Sequence, residues 1–342
     1  MKKERLIFIY PKLFTFIQTE IELLSDNYEL ICSSRNWNNK TFLPLNLISQ
    51  FFFLLFNINR VDIILISFGG YWSFLPVLLG KIFTKKVAIV VHGTDCVSFP
   101  DINYGNLRHP LMRWFTKKSY QWASIILPVS KSLVFTENNY YSDKTLKFGY
   151  SHHLEAITTP YKVIPNGLIL ENWRVDKLAK ISNTFISVMT NEQILRKGGD
   201  LIIETAQKLP NCRFYLAGTS SVNYAPENVI CLGKLSPDEL KEWYGKSRFY
   251  LQLSNFEGFG VAICEAMLCE CVPIVSDVNF LPTIVGDTGF ILRKRNTLLL
   301  EDLIHNALTT DLEQLGKFAK NRIQQNFSIS KRKEMLISAL KD

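Results

Sequence analysis

The sequence contains no C-x-x-C pair, no D-x-D pair and no cluster of histidines and carboxylates at the spacing of metal ligands. Its 7 cysteines are an odd number, and the two nearest, Cys269 and Cys271, flank a single residue. That separation is too short for ordinary tetrahedral zinc spacing. These patterns predict reduced thiols in a cytosolic protein and no essential metal.

Long apolar runs are lacking as well. The most apolar stretch, Leu45–Ile58, includes four polar residues and is shorter than the ~20 residues that a membrane-spanning helix needs. It predicts a buried or interfacial helix, and burial in the core is the preferred interpretation. Near the N-terminus, only Leu6–Tyr10 separates the charged Lys2–Arg5 from Pro11. This run predicts a short first strand rather than a signal peptide.

Charge is distributed unevenly over the 342 residues. The whole chain has 39 Lys+Arg and 31 Asp+Glu, a net +8, and residues 1–165 contain 18 basic and 11 acidic residues, a net +7. Nucleic acid, an anionic membrane surface and a solvated face without a partner all fit such an excess. Positive charge is the only feature of the sequence that favours nucleic acid. We therefore expect no nucleic acid partner. The hypothesis of peripheral membrane contact rests on the apolar run and on basic residues near predicted helices: Lys81, Lys85, Lys86, Arg113, Lys117 and Lys118.

Short apolar runs alternate with longer helical stretches, and the pattern restarts after Asn166. Strands are predicted at Leu6–Tyr10, Tyr28–Cys32, Asp62–Ser67, Val87–Val91, Ile125–Pro128, Lys162–Ile164, Thr184–Met189, Arg213–Ala217, Val229–Leu232, Phe249–Leu253 and Pro273–Ser276. Helices are predicted at Gln18–Ser25, Leu45–Asn57, Trp72–Ile82, Pro110–Ala123, Ser130–Asn138, Gly199–Lys208, Pro237–Gly245, Gly260–Leu268, Leu299–Thr309 and Asp311–Asn326. The Ser-Pro-Asp-Glu run at Ser236–Glu239 has the spacing of a capping box. The alternation predicts two doubly wound α/β domains with parallel sheets, joined near Thr158–Gly167. Ligands of such sheets bind outside the carboxyl ends of the strands, so the cleft between the domains is the expected site.

The most informative stretch is Phe249–Ser276, where a strand leads through a glycine-rich turn into a helix. Gly258 and Gly260 let the backbone approach a ligand closely, and the N–H groups at the helix start can bind phosphate. A carboxylate such as Glu257 in this turn needs hydrogen-bond donors, and sugar hydroxyls are suitable. The alternative is a turn that binds no phosphate, with Glu265 as a surface residue.

The frame E-G-F-G-x-x-x-x-E-A, with Glu257 and Glu265 eight residues apart, resembles the E-x7-E signature of the retaining family-4 glycosyltransferases of the GT-B fold. Further segments are similar in order and spacing along nearly the whole chain: His92-Gly93-Thr94-Asp95, Leu127–Ser130, Val163–Gly167, Lys197-Gly198 with Asp200–Ile203, and Gln325–Arg332. The resemblance implies two Rossmann-like domains facing a central cleft. Residues 1–162 would bind the acceptor, residues 163–320 the nucleotide sugar, and residues 321–342 would form a helix that crosses back to the first domain.

The resemblance also implies a role for each matching residue. Glu265 would bind the ribose hydroxyls, and Glu257 would approach the transferred sugar. Lys197 would stabilise the leaving diphosphate, and Gly233 and Lys234 would border the base. Backbone N–H groups would hold the sugar and the diphosphate at Gly258, Phe259, Gly260, Val261 and Ala262. His92 would face the sugar from the acceptor domain, on whose side Gly93, Thr94 and Asp95 also lie; the other interpretation of His92 is a core histidine.

Two positions depart from the family's pattern. The family commonly has Arg five residues before the lysine, where this sequence has Glu192, a carboxylate that would repel a diphosphate. Arg196 is the candidate to replace the missing charge, unless the Thr190–Leu195 loop follows another path. The family's glycine-rich loop after the first strand is also absent, and Tyr10–Phe16 stands in its place.

We therefore expect a metal-independent, retaining hexosyltransferase that uses a nucleotide-diphosphate sugar, UDP- or GDP-linked, and needs no cofactor. The acceptor would be a glycan or a lipid-linked glycan of surface polysaccharide synthesis. The expected location is cytoplasmic, with peripheral contact at the inner face of the membrane. The alternatives are a nucleotide-sugar epimerase of the same fold and a non-catalytic protein that binds nucleotide sugars.

Overall fold

The computed structural model describes residues 3–37, 39–175 and 180–341. By its packing the chain divides into two compact units. Unit 1 comprises residues 1–136, 147–165 and 332–342, and unit 2 comprises residues 137–146 and 166–331. The predicted domain limits at 162 and 320 stay predictions, and their outermost residues, 1, 2 and 342, lie outside the described ranges.

Unit 1 is built on five parallel strands in the order β2-β1-β3-β4-β5. All residues of the central strand β3, Ile63–Ser67, are buried, as expected for a parallel sheet covered on both faces. The elements are β1 (Glu4–Tyr10), α1 (Thr15–Ser25), β2 (Tyr28–Ser34), α2 (Leu43–Asn57), β3, α3 (Tyr71–Ile82), β4 (Lys86–Val91), α4 (Pro110–Trp122), β5 (Ile125–Pro128), β6 (Thr136–Asn138), β7 (Leu146–Phe148) and α5 (Tyr150–His153). The short strands β6 and β7 pair with each other in a separate sheet.

The strand order of unit 1 determines where its helices lie. The connection from β1 to β2 leads toward one edge of the sheet. The three successive connections β2 to β3, β3 to β4 and β4 to β5 lead toward the other edge. Because crossovers between parallel strands are right-handed, α1 lies on one face of the sheet and α2, α3 and α4 lie on the other. Contacts of α3 with both α2 and α4 agree with a single helical layer on that face.

Unit 2 contains six parallel strands in the order β10-β9-β8-β11-β12-β13. Its elements are β8 (Ile181–Val188), α6 (Ile194–Lys197), α7 (Gly199–Ala206), β9 (Arg213–Ala217), β10 (Val229–Gly233), α8 (Pro237–Lys246), β11 (Ser247–Gln252), α9 (Val261–Leu268), β12 (Val272–Ser276), α10 (Leu281–Val285), β13 (Phe290–Leu292), α11 (Thr297–Leu308) and α12 (Leu312–Asn326). The helix α13 (Ile329–Lys341) begins in unit 2 and continues in unit 1. Helix α8 begins with the predicted capping box, because Ser236 and Glu239 bond to each other's backbone N–H groups.

The predicted α/β class with parallel sheets is confirmed, but two predicted elements are wrong. The segment Ser130–Asn138 contains only the 3-10 turn Lys131–Leu133 and the strand β6 instead of the predicted helix, since the Val134 carbonyl accepts from the backbone and hydroxyl of Ser151. The segment Lys162–Ile164 is not a strand. It lies extended beside β5 and bonds to it through Lys162 N and Ile164 N.

The prediction that the most apolar run is buried is also wrong. Only Gln50 and Leu54 of α2 are buried. The outer face of α2 and the residue just before the helix form an exposed apolar stripe at helical spacing, which we call the α2 stripe: Phe42, Leu45, Ile48, Phe52 and Phe56. Phe56 is 72% exposed and Leu45 is 61% exposed. Among the helices of the described residues, none has both the length and the apolar character that a bilayer span requires.

A buried ion pair joins the first and last helices of unit 1. Arg332 on α13 is 6% exposed, and it donates to Glu20 on α1, which is 2% exposed, at 2.7 Å. The same guanidinium donates to the carbonyls of Ile164 and Pro165, each at 3.0 Å. The pair therefore ties three distant segments of the chain together inside unit 1.

We expect Glu20→Leu to destabilise the protein by about 3–5 kcal/mol, because it leaves the Arg332 charge buried without a carboxylate. Glu22→Leu, on the exposed side of the same helix, is the matched control and should change the unfolding free energy by less than about 0.5 kcal/mol. Urea unfolding of both variants measures the difference. Equal effects would show that the ion pair does not support unit 1.

Candidate active site

The turn between β11 and α9 requires glycine. Gly260 has φ +106°, and a Cβ there would lie 3.0 Å from Leu281 Cδ2 and 3.1 Å from Ile263 Cγ2. Beside it, Phe259 is buried and its ring packs against Phe280 at 5.6 Å and Phe327 at 5.5 Å. The Phe259 side chain thus anchors the turn, which leaves only its backbone for a ligand. The first N–H groups of α9 follow directly and have no partner within the helix.

Glu257 is held in this turn by side chains from the end of β11. Its Oε2 accepts from Gln252 Nε2 at 2.9 Å and from Ser254 Oγ at 3.4 Å. The Tyr250 hydroxyl donates to Gln252 Oε1 at 2.8 Å, which fixes the amide with its NH2 group toward the carboxylate. Burial, and secondly the charge of Glu257, raise the pKa of Tyr250, so its hydroxyl keeps the proton that it donates.

Asn279 supports the same turn from the segment after β12. Its side-chain oxygen accepts from Glu257 N at 3.2 Å, and its backbone has φ +51°, a conformation that Asn tolerates better than most residues. Its Nδ2 is buried with no partner in the structure. Sequence analysis missed Tyr250, Gln252 and Asn279. The available signal was the alternation along β11, which places residues 250 and 252 on one face of the strand.

Three of the predicted site residues interact electrostatically. Burial raises the pKa of Glu265 on α9 to about 7, and the charge of Lys197 opposes this rise. Burial lowers the pKa of Lys197, and the charges of Glu257 and Glu265 oppose that fall. Lys197 Nζ also donates to Val188 O at the end of β8, at 3.0 Å. The structure therefore brings two carboxylates and one ammonium group together at the carboxyl ends of neighbouring strands.

The short helix α6 is bonded directly to this turn. Gly198, which follows Lys197, has φ +74°, and a Cβ there would lie 2.2 Å from Leu253 O. Asn255 N donates to Arg196 O at 2.8 Å, and Arg196 Nη1 lies 3.5 Å from Phe256 O. Arg196 thus reaches the turn that precedes Glu257.

Glu192 lies in the 3-10 turn Asn191–Gln193 before α6, and its side chain is exposed. Its Oε2 accepts from Thr190 Oγ1 at 2.7 Å, a bond that lowers the Glu192 pKa. The carboxylate is therefore held by its own loop. That Arg196 replaces the missing charge beside a bound diphosphate stays a prediction.

Gly233 closes β10 with φ +67°, and no atom lies within 4 Å of the position that a Cβ would take. Its carbonyl accepts from Gly218 N at 2.7 Å, and its N–H donates to Thr219 O at 2.9 Å. Lys234 beside it is exposed. The open space at Gly233 is compatible with a flat ligand, and the predicted role beside the base stays a prediction.

In unit 1, His92 follows β4 and lies among aromatic rings. Its Nε2 is 2.9 Å from Ser67 Oγ, and its ring centroid is 4.9 Å from that of Phe16 and 4.3 Å from that of Phe68. Burial, and secondly the charge of Arg332, hold the His92 pKa well below its ordinary value. The imidazole is therefore neutral at pH 7.

Asp95 organises the loop that contains His92. It is fully buried, and its Oδ1 accepts from His92 N at 3.2 Å and from Gly93 N at 3.0 Å. Its Oδ2 accepts from Gly69 N and from the Tyr120 hydroxyl, both at 2.9 Å. Asp95 thus shapes the loop from inside, with Gly93 buried and Thr94 half-buried. Their predicted place on the acceptor side stays a prediction.

An aromatic segment occupies the place of the missing glycine-rich loop. Phe14 stacks on Phe16 with ring centroids 5.5 Å apart, and both rings pack within 6.0 Å of Phe68. Phe68 itself has φ +64°, which is unusual for a bulky residue. The carboxyl ends of β1, β3 and β4 therefore meet at a cluster of rings.

Within residues 3–37, 39–175 and 180–341, no group of three His, Cys, Asp or Glu side chains is arranged to hold a metal ion. Metal independence stays a prediction.

Comparisons with known proteins bear on both units. Residues 172–325 match the model of the family described as glycosyl transferases group 1. The gpi3 subunit of phosphatidylinositol N-acetylglucosaminyltransferase from Schizosaccharomyces pombe is 26% identical over 64% of this chain and 53% of its own length. Alpha-galactosylglucosyldiacylglycerol synthase from Streptococcus pneumoniae is 28% identical over 46% of this chain and 49% of its own. The chain thus spans about half the length of these curated relatives.

Solved structures match over almost the entire chain. Sucrose-phosphate synthase from Thermosynechococcus elongatus has a TM-score of 0.75 at 13% identity, covering 99% of this chain and 98% of that chain. Anabaena HepE in complex with UDP has a TM-score of 0.72 at 14% identity, covering 98% and 99%. At such identities the likeness shows the fold, which is GT-B. The family model matches residues 172–325, which are less than half of the chain.

Proposed function

We propose that this chain is a retaining glycosyltransferase of family 4 that moves a sugar from a nucleotide-diphosphate donor to a glycan or lipid-linked acceptor. The observation that carries the proposal is the grouping of Glu257, Glu265 and Lys197 around the glycine turn at the start of α9. Carboxylates suit sugar and ribose hydroxyls, whereas the ammonium group and the helix N-terminus suit phosphate. HepE, whose fold this chain shares, is seen in complex with UDP, which supports a nucleotide donor.

In the proposed reaction, Glu265 binds the ribose and Glu257 the transferred sugar. The bond between the anomeric carbon and the diphosphate oxygen breaks with its electron pair on the diphosphate. Lys197, Arg196 and the N–H groups of α9 stabilise that charge without a metal. The acceptor hydroxyl then bonds to the same face of the oxocarbenium-like sugar, and the leaving phosphate takes the hydroxyl proton. Neutral His92 is proposed to face the sugar from the acceptor side.

We also propose that the protein works in the cytoplasm at the inner face of the membrane, in surface glycan synthesis. The α2 stripe supports membrane contact, because a row of exposed aromatic and aliphatic side chains on a helix suits the acyl boundary of a bilayer. The basic excess of residues 1–165, a net +7, suits anionic lipids. Both curated relatives are named for a lipid, phosphatidylinositol in one and a glucosyldiacylglycerol in the other, which favours a lipid-linked acceptor.

The two glutamates should give different phenotypes. Glu265→Ala should weaken binding of a free nucleoside diphosphate by about 1.5–3 kcal/mol, because the ribose is present in that ligand. Glu257→Ala should leave this affinity unchanged and lower turnover of the sugar donor. Calorimetry with UDP and GDP, together with transfer assays, measures both effects, and Glu227→Ala on the surface is the control.

Equal losses of nucleotide affinity in the two variants would contradict the assigned roles. Conversion of the donor to a free epimer without acceptor would instead identify an epimerase. Intact donor after prolonged incubation with nucleotide-sugar and acceptor panels would identify a binding protein.

Lys197→Ala should lower kcat/KM at least about tenfold, or ~1.4 kcal/mol, by removing the main cation from the leaving diphosphate. Arg196→Ala should cost less, and Glu192→Arg should be neutral or favourable for donor binding. A silent Arg196→Ala together with a damaging Glu192→Ala would contradict this arrangement of the diphosphate contacts.

Excess chelator should leave the rate of the unmodified protein nearly unchanged. A large loss of rate that magnesium or manganese restores would contradict metal independence.

Gln252→Leu should lower kcat about tenfold, or ~1.4 kcal/mol, with unchanged affinity for the free nucleotide, because it frees Glu257 to rotate away from the sugar. Tyr250→Phe should have a smaller effect, since it only permits the Gln252 amide to turn over. Gln207→Leu, on an exposed position, is the matched control. Comparable losses in turnover and in nucleotide affinity would mean that Gln252 supports the whole turn rather than the Glu257 side chain.

A further inference from the structure

Two cations follow the carboxyl ends of β1 and β2 in unit 1. Tyr10 and Ser34 are paired in register at these ends, so Lys12 and Arg35 lie just beyond neighbouring strands, which in a sheet are ~4.8 Å apart. Their contacts in the part of the chain that the structure describes are with rings, hydroxyls and one carbonyl, and none is with a carboxylate. The segments 10–16 and 33–37 contain no acidic residue.

The guanidinium of Arg35 is half-buried and is held in place by neutral groups. Its Nη1 donates to Ser33 Oγ at 2.7 Å, while Nε and Nη2 both lie 3.3 Å from Ser49 Oγ. Nη2 also donates to Ser49 O at 3.2 Å, and the Phe53 ring centroid is 5.6 Å from Cζ. Nη1 has a second N–H that none of these bonds uses.

Burial lowers the pKa of Arg35, and no opposite charge opposes that fall. The bonds to Ser33 and Ser49 tie the end of β2 to α2, but hydrogen bonds of this kind do not require a charged donor. A structural tie alone therefore does not explain why a cation is taken partly out of water, which costs free energy unless the charge is paired. An anion bound at Arg35 would offset that cost.

The strand order places Lys12 and Arg35 on opposite sides of a crevice. The chain leaves β1 toward α1 on one face of the sheet, whereas it leaves β2 and β3 toward α2 and α3 on the other face. The loops at these carboxyl ends therefore turn away from each other. Such a divergence is the switch point at which doubly wound sheets bind their ligands.

Aromatic rings lie in the same crevice. Phe14 is 39% exposed, although it stacks on Phe16 at 5.5 Å and packs against Phe68 at 6.0 Å. The ammonium group of Lys12 lies 5.9 Å from the Phe14 ring centroid, and the adjacent Leu13 is 51% exposed. Exposed ring faces suit the apolar face of a sugar or an alkyl chain. Cations beside such rings suit a phosphate ester better than a free anion.

We propose that Arg35 and Lys12 bind a phosphate ester group of the acceptor, so that unit 1 selects phosphorylated acceptors over neutral ones. The inference rests on the proposed function and adds the charge of the acceptor to it. The planar guanidinium of Arg35 suits a bidentate contact with phosphate oxygens, and Lys12 adds a second charge from the other side of the crevice. Phe14 contacts the sugar or alkyl group that carries the phosphate.

The test uses octyl phosphate and glucose 6-phosphate as probes, with octyl glucoside and glucose as their uncharged counterparts. Calorimetric titrations are made with saturating UDP, so that the phosphates do not report the donor site. The unmodified protein should bind at least one phosphate probe about tenfold more tightly than its counterpart. Binding of octyl phosphate alone would identify a lipid phosphate, and binding of glucose 6-phosphate alone a sugar phosphate.

Arg35→Gln should lower the affinity for that probe at least about tenfold, because a charge-assisted contact is lost. Arg35→Lys should lose less, since it keeps the charge without the planar fork. Arg60→Gln, at an exposed position of the same unit, is the matched control and should change the affinity less than about twofold. Equal losses in Arg35→Gln and Arg60→Gln, or no preference of the unmodified protein for either phosphate, would overturn the proposal.

Ser49→Ala separates phosphate binding from the tie between β2 and α2. It should lower the melting temperature about as much as Arg35→Gln does, yet keep the affinity for the phosphate probe within about threefold. A shared fall in melting temperature with unchanged affinity in both variants would show that Arg35 is only a tie, and the proposal would be wrong.

Titration of the unmodified protein with UDP tests the proposed function separately. If UDP binds and neither phosphate is preferred, the transferase stands and the phosphate site is wrong. If UDP does not bind, the assigned donor site is wrong, and the same titrations without UDP decide the phosphate site.

Discussion

The candidate site depends on one steric constraint, the close packing at two glycines beside the turn between β11 and α9. A side chain at Gly198 would collide with the Leu253 carbonyl, and one at Gly260 would press on Leu281 and Ile263. Gly198 lets α6 end against this turn, and Gly260 lets α9 begin from it. The carboxylates of Glu257 and Glu265 and the ammonium group of Lys197 come into one electrostatic group only because these short elements meet there.

That grouping is costly to bury and explains the neighbouring bonds. A carboxylate taken out of water needs donors or a counter-charge. Glu257 receives donors from Gln252 and Ser254, whereas Glu265 has the charge of Lys197 and a pKa of about 7. The site is therefore organised before a donor arrives, and a ligand with hydroxyl and phosphate groups would find acceptors and cations already oriented. Such pre-organisation favours stabilisation of the charge that develops on a leaving group.

Much of this architecture was predictable, because parallel strands buried on both faces read as continuous apolar runs, and because α8 begins at a recognisable capping box. What sequence could not reveal depends on tertiary contacts. The segment Ser130–Asn138 has a helical pattern, yet Ser151 takes the carbonyl that a helix would need. The α2 run reads as core because apolar character normally means burial, and nothing local shows that its outer face lacks a covering layer. Gln252 was missed because a polar residue at a strand end looks like an ordinary boundary.

The two edges of the unit 1 sheet differ in chemistry for a topological reason. At the carboxyl edge, loops follow β1, β3 and β4. There Asp95 holds the backbone of the His92 loop, while burial and the charge of Arg332 lower the His92 pKa and keep the imidazole neutral. At the opposite edge the helices end, and their terminal carbonyls favour a nearby cation. Lys81, in the last turn of α3, is accounted for by that dipole alone.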